Sequence, residues 1–274
     1  QFAPKTKAIS AYYHEIPVGR TVSSYTTTVF QHFFLVKSMR SFAIFAALLV
    51  IASCTDMPYI WPLPKDYSYG DKTVTVDAQH FRFITSKQSN ELIEAFHRYM
   101  DLIFYKKSAL VEEGVRSVRI EVEEGKVEIQ LETDESYSIV IPDDGSEITI
   151  SANNPFGAMH GIETLSQLIV FDPVSMTYVI NNAPWKIDDA PRFHHRGILM
   201  DTARHFESLP SIKKLIDSMT YAKLNVLHWH ITDTQSNPAQ SLSFPKWWEG
   251  SYTPMERYTT MDMEEIVEYA RMRD

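Results

Sequence analysis

Residues 196–233, RGILMDTARHFESLPSIKKLIDSMTYAKLNVLHWHITD, decide how the chain is read. Residues 197–201 are apolar with little alternation, as in a strand buried on both faces. Ser208 or Leu209 can cap a helix with Pro210 in its first turn. Ile212, Leu215, Ile216, Met219 and Ala222 then form one apolar stripe. Residues 225–231 repeat the strand pattern. Strand, helix, strand predicts a right-handed crossover between two parallel strands. Chemistry-bearing residues gather at the strand ends: Asp201, Arg204 and His205 first, then His228, His230 and Asp233. The C-terminal ends of parallel strands are the usual place for a site.

Each group has two readings. The planar guanidinium of Arg204 can donate to two adjacent sugar hydroxyls, or it can hold a loop through a salt bridge to Asp201 or another acid. His228 and His230 are two apart on a strand and share a face. With Asp233 they could form a metal set, although a third ligand is not assured; alternatively they are structural, hydrogen-bonded inside a barrel core. Trp247, Trp248 and Tyr252 can stack on a sugar or anchor their loop.

Downstream, Pro238, Pro245, Gly250 and Pro254 mark a long loop, and a helix is expected from Thr259 or Thr260 with Asp262, Glu264 and Glu265 near its start. The pattern is then βαβα. Two parallel strands cannot close a barrel and leave edges open, so an incomplete domain is expected.

Upstream, residues 173–193 hold Pro173, Pro184 and Pro191 and read as an extended connector. Residues 56–172 read as one α+β domain. Strands are expected within 72–83, and a helix capped by Ser89 or Asn90 follows. A four-run meander is then expected around 118–122, 127–131, 137–141 and 148–150, with a second helix opened by Asn154-Pro155. The wet and packed faces of the sheet imply helices on one side.

Composition bounds the rest. A net charge of -9, from 26 basic and 35 acidic residues, with no basic run, argues against a nucleic-acid partner. The single cysteine, Cys54, excludes an intrachain disulfide framework. Met39-Arg40-Ser41, the apolar run 42–52 and the small residues before Cys54 have the pattern of a signal peptide over 39–54; the alternatives are a short buried helix or a lipoprotein signal. Residues 1–38 are then expected to be a non-native upstream extension. No apolar run reaches the roughly 18 residues of a membrane span.

The blocks PRFHHRGILMDTARHF, KLNVLHWHITDTQS, FPKWWEGSYTPMERYT and EEIVEYARMR, in this order, resemble the β-N-acetylhexosaminidases of glycoside hydrolase family 20. IWPLPKDYSYG, LETDESYSIVI and ANNPFGAMHGIETLSQL are similar to the N-terminal α+β domain of that family. The resemblance implies an α+β domain followed by the first β/α units, 194–274, of an incomplete (β/α)8 TIM barrel. It implies removal of terminal N-acetylhexosamine from glycans with retention, the substrate's acetamide acting as nucleophile. No cofactor or metal is implied. A secreted, vacuolar or lysosomal setting is expected, and a homodimer is left open.

Residue by residue, Arg204 matches the family arginine that grips the sugar, and Asp233 matches an aspartate that supports the catalytic acid. His228 and His230 become structural. The family's catalytic Asp-Glu pair has no match here: Glu264-Glu265 and Asp188-Asp189 are not substitutes. The chain is therefore expected to be inactive alone. Thr234, Asn237, Gln240 and Asp274 depart from the family pattern.

Overall fold

The computed structural model describes residues 59–273. The expectations for 1–38 and 39–54, and the departure at Asp274, lie outside them. No described helix is long and apolar enough to cross a membrane.

The first part is a seven-stranded mixed sheet. Its strands are β1 (Asp66–Val76), β2 (Arg82–Thr85), β3 (Ser117–Val122), β4 (Tyr137–Ile141), β5 (Ile148–Ala152), β6 (Ile169–Asp172) and β7 (Thr177–Asp189). Their order is β1-β7-β4-β5-β3-β2, with β6 paired to β7. Helices α1 (Asn90–Ile103) and α2 (Pro155–Leu168) belong to the same core. Ser89 caps α1, and Asn154 caps α2 through bonds from the Phe156 and Gly157 amides. Alternation sorts the sheet faces: Val118, Ile120, Ile139, Ile148, Ile150 and Ile187 are buried in the helix-covered core, while Glu121, Val140, Lys186 and Asp188 are exposed.

Helix α2 is buried almost all round. Its glycines let it sit close to the sheet: a Cβ on Gly157 would lie 2.4 Å from the Ser136 carbonyl, and one on Gly161 would lie 2.6 Å from Ile150 Cγ2.

Three expectations for this part are corrected. The connector over 173–193 contains β7, the longest strand, which pairs with β1, β4 and β6. Pro184 suggested otherwise, but it falls where the β1 ladder slips register, between Tyr69↔Trp185 and Lys72↔Ala183, so the missing amide costs the ladder little. Of the meander only the antiparallel β4–β5 pair forms, because β3 runs parallel to both β2 and β5. Finally, residues 127–131 form no strand. With both edges of β3 occupied, Val127 and Ile129 pack on the core from an irregular segment.

The second part pairs β8 (Gly197–Asp201) in parallel with β9 (Val226–His230), joined by α3 (Leu209–Tyr221) and followed by α4 (Thr260–Arg271). Ile212, Ile216, Tyr258 and Ile266 form its core, with Met200, Leu227 and Trp229 packed against them. Burial of β8 on both faces is not observed. Leu199 and its ladder partner His228 lie on the opposite face, which no described element covers, and Leu199 is 56% exposed. Ser208 stands at the N-cap of α3 without a side-chain capping bond, whereas Thr259 and Asp262 form a capping box on α4.

A buried polar seam joins the two parts. Glu135 accepts from Arg196, which precedes β8, and from Asn225 Nδ2, which precedes β9, at 3.1 Å; His160 Nε2 lies 3.0 Å away. Lys223, in the left-handed region at φ 53°, sends its ammonium to Tyr137 (2.6 Å), Thr164 (2.8 Å) and Asp189 (3.2 Å). The bases of both strands are thus fixed to the sheet.

Candidate functional site

The opposite ends of β8 and β9 carry the site. Asp201 and His230 are ladder partners, so their side chains share a face. After Asp201 the chain turns tightly. Asp201 Oδ1 accepts from the amides of Ala203 (3.1 Å) and Arg204 (3.0 Å), and this turn brings Arg204 back over its own strand. Arg204 Nε then donates to Asp201 Oδ2, and Nη1 donates to Asp233 Oδ2 at 2.6 Å. The same Asp233 oxygen lies 2.9 Å from His230 Nε2, and Oδ1 accepts from the Thr234 amide at 2.6 Å.

The sequence-predicted residues therefore separate. Asp201, Arg204, His230 and Asp233 converge, while His228 is exposed two residues away and His205 faces Glu207 at 3.2 Å. The expectation that His228 and His230 are both hydrogen-bonded inside a core is corrected: His230 is half-buried against Asp233, and His228 lies on the uncovered face. Among the described residues no three His, Cys, Asp or Glu side chains gather as a metal set.

The electrostatics favour holding over proton transfer. The His230 hydrogen bond, the two Thr234 contacts and the Arg204 charge hold Asp233 down at about 2. The Arg204 amide and guanidinium hold Asp201 below its ordinary value. A general acid needs the reverse, a carboxyl pushed upward. What the cluster offers is a half-exposed guanidinium whose plane is fixed by two ionised carboxylates.

The surrounding loop is anchored in part. Trp248 donates to the Pro238 carbonyl at 3.0 Å and stacks under Arg257, whereas Trp247 and Tyr252 are about half exposed. Gln240 Oε1 accepts from the Thr260 amide at 2.9 Å, bracing the start of α4. Asn237 Oδ1 is buried without a hydrogen-bond partner. The polar seam, unlike the site, was not found in the sequence. Its members Glu135, His160, Arg196 and Lys223 are far apart in the chain and follow no local spacing.

Two family profiles match in chain order: "beta-acetyl hexosaminidase like" over residues 60–168, and "Glycosyl hydrolase family 20, catalytic domain" over residues 193–274. The chain belongs to glycosyl hydrolase family 20. Among family 20 relatives, it is 41% identical over 235 residues to Beta-hexosaminidase 1 of Arabidopsis thaliana, covering 79% of this chain and 43% of that one. It is 37% identical over 248 residues to the Beta-hexosaminidase subunit beta of Mus musculus, covering 83% and 45%. A family 20 chitobiase from Flavobacterium johnsoniae aligns in structure with TM-score 0.67 at 28% identity, over 79% of this chain and 33% of that one. The chain thus spans less than half the length of these relatives.

Proposed function

We propose that this chain supplies the N-terminal domain and the sugar-gripping side of a β-N-acetylhexosaminidase, with β8-α3-β9-α4 as the first units of a (β/α)8 barrel. The observation that carries the reading is Arg204, forked between the ionised Asp201 and Asp233 at the C-terminal ends of adjacent parallel strands. Fixed in this way, the guanidinium presents hydrogen-bond donors to neighbouring hydroxyls of a terminal N-acetylhexosamine at little entropic cost. Asp233 orients Arg204 and His230 together and stays charged, which suits a supporting role. Substrate-assisted cleavage with retention is part of the proposal, and protonation of the leaving oxygen belongs to an acid other than these two. A secretory or vacuolar destination is proposed from the 39–54 pattern.

The test is a chimera in which residues 59–273 replace the matching segment of the Arabidopsis relative, assayed on an aryl N-acetyl-β-glucosaminide. Turnover by the chimera, lost about 100-fold or more on Arg204→Ala, is expected for an arginine whose charged hydrogen bonds hold the sugar. A folded R204A chimera with an unchanged rate would sink the proposal.

A further inference from the structure

The loop carrying Arg204 and the loop carrying Asp233 share one buried post. Tyr258 is 1% exposed and lies at the end of the loop that begins beyond β9. Its hydroxyl donates to the Glu207 carbonyl and accepts from the Glu207 amide at 3.3 Å. Thr202 Oγ1 lies beside the same phenol and accepts from Trp229 Nε1 at 2.8 Å. Residues 202–207 are therefore held at both ends, Thr202 by the Trp229 indole of β9 and Glu207 by the Tyr258 hydroxyl, with Arg204 between them. The ring is clamped as well, stacked on Phe206 at 4.7 Å and edge-on to Trp229 at 5.1 Å.

The backbone of Tyr258 holds the other loop. Its amide donates to the Pro238 carbonyl at 2.9 Å, and its carbonyl accepts from the Gln240 amide at 2.9 Å. Asp233, in turn, donates its amide to the Ser236 carbonyl at 3.0 Å, so 233–240 is tied into the same framework.

We propose that Tyr258 is a positioning residue for the sugar grip: its hydroxyl sets turn 202–207 and its backbone sets the loop after β9, so that Arg204 and Asp233 meet. This rests on the reading of Arg204 as the gripping residue only for its consequence in catalysis; the positioning itself can be measured without substrate. A phenol suits the task because it spans from the α4 side of the core to the turn and both donates and accepts at its tip. Burial pushes its own ionisation up to about 12, so the hydroxyl stays protonated through the neutral range.

The experiment uses the full 274-residue chain with Tyr258→Phe, which keeps the ring, and Thr202→Val, which removes the Trp229 bond at the other end of the turn. NMR follows hydrogen exchange at Arg204 Nε and the titration of the Asp233 carboxyl. In both variants exchange at Arg204 Nε should quicken about tenfold, the scale of one lost hydrogen bond. The Asp233 midpoint should rise from about 2, while the amides of β7 keep their protection. Unchanged exchange and titration in a folded Y258F would overturn the proposal, as would an equal loss of protection across the whole chain. An R204A chimera that keeps its rate would overturn the sugar-grip reading while leaving this one standing.

Discussion

Lys223, just beyond α3, and Asp189, at the end of β7, face one another at 3.2 Å inside the seam. Burial pushes the Lys223 ammonium down, and the Asp189 charge works against this. Asp189 also feels burial, but Lys223 and the Tyr137 hydroxyl hold it below its ordinary value. Each charge is tolerated because the other is present. Lys223→Met should therefore cost about 3–5 kcal/mol, the scale of leaving one buried charge uncompensated. Urea unfolding measures it. The double variant with Asp189→Asn should cost less than the sum of the two singles, and strict additivity would show that the pair is not coupled.

Glu135 gives the seam a pH dependence of definite sign. Burial alone would raise its carboxyl, but His160 and Arg196 outweigh this and hold it below the ordinary 4.5. A depressed carboxyl contributes stability that is present above the unfolded value and lost as pH falls through the folded one. Glu135→Gln should cost about 3 kcal/mol at pH 7, again the scale of a broken buried pair. That gap should narrow as pH drops below 4.5. Denaturation midpoints of both proteins at pH 7, 5 and 3.5 check it; a gap that widens toward acid would contradict the assignment.

Local order was legible where local forces decide it. Asn154-Pro155 and Thr259 announced their helices because caps and first-turn residues act within four positions. The alternation at 118–122, 137–141 and 148–150 likewise gave real strands. Alternation at 127–131 gave none, since an alternating segment needs a free edge as well as a pattern. Strand β7 was hidden by Pro184 and by the prolines on either side of it, and Trp185 and Ile187 were the signal that could have revealed it. At the site, the strand-end rule brought forward Asp201, Arg204, His230 and Asp233. It could not separate His230 from His228, because facing a carboxylate depends on where the loop returns.

Helix α2 tests close packing against helix propensity. Alanine is about 1 kcal/mol better than glycine inside a helix. At Gly157, however, the new Cβ would meet the Ser136 carbonyl at 2.4 Å, and that oxygen is backbone with nowhere to move. Gly157→Ala should be net destabilising by about 1–3 kcal/mol, as in other overpacked sites. Gly161→Ala, which meets a side-chain methyl of Ile150 first, should cost less. Thermal melts of the two variants decide it, and a stabilised G157A would mean that the helix stands further from the sheet.

The last prediction concerns the chain by itself. A glycosidase must protonate the leaving oxygen, which calls for a carboxyl raised toward neutrality. The two acids beside Arg204 go the other way: Asp233 is held at about 2 by His230, Thr234 and Arg204, and Asp201 is also held down. Both are therefore mainly ionised across pH 4–7. Glu163 is raised by burial, but it sits in the interior bonded to Tyr99 at 2.8 Å, away from the strand ends. General acid catalysis contributes about 10²–10⁴-fold, and without it turnover of an aryl N-acetyl-β-glucosaminide by the 274-residue chain should lie at least about 100-fold below that of the Arabidopsis relative across pH 4–7. Fluorimetric assay with a 4-methylumbelliferyl leaving group measures this. A rate matching the Arabidopsis relative would mean that an acid in this chain moves into place once substrate binds.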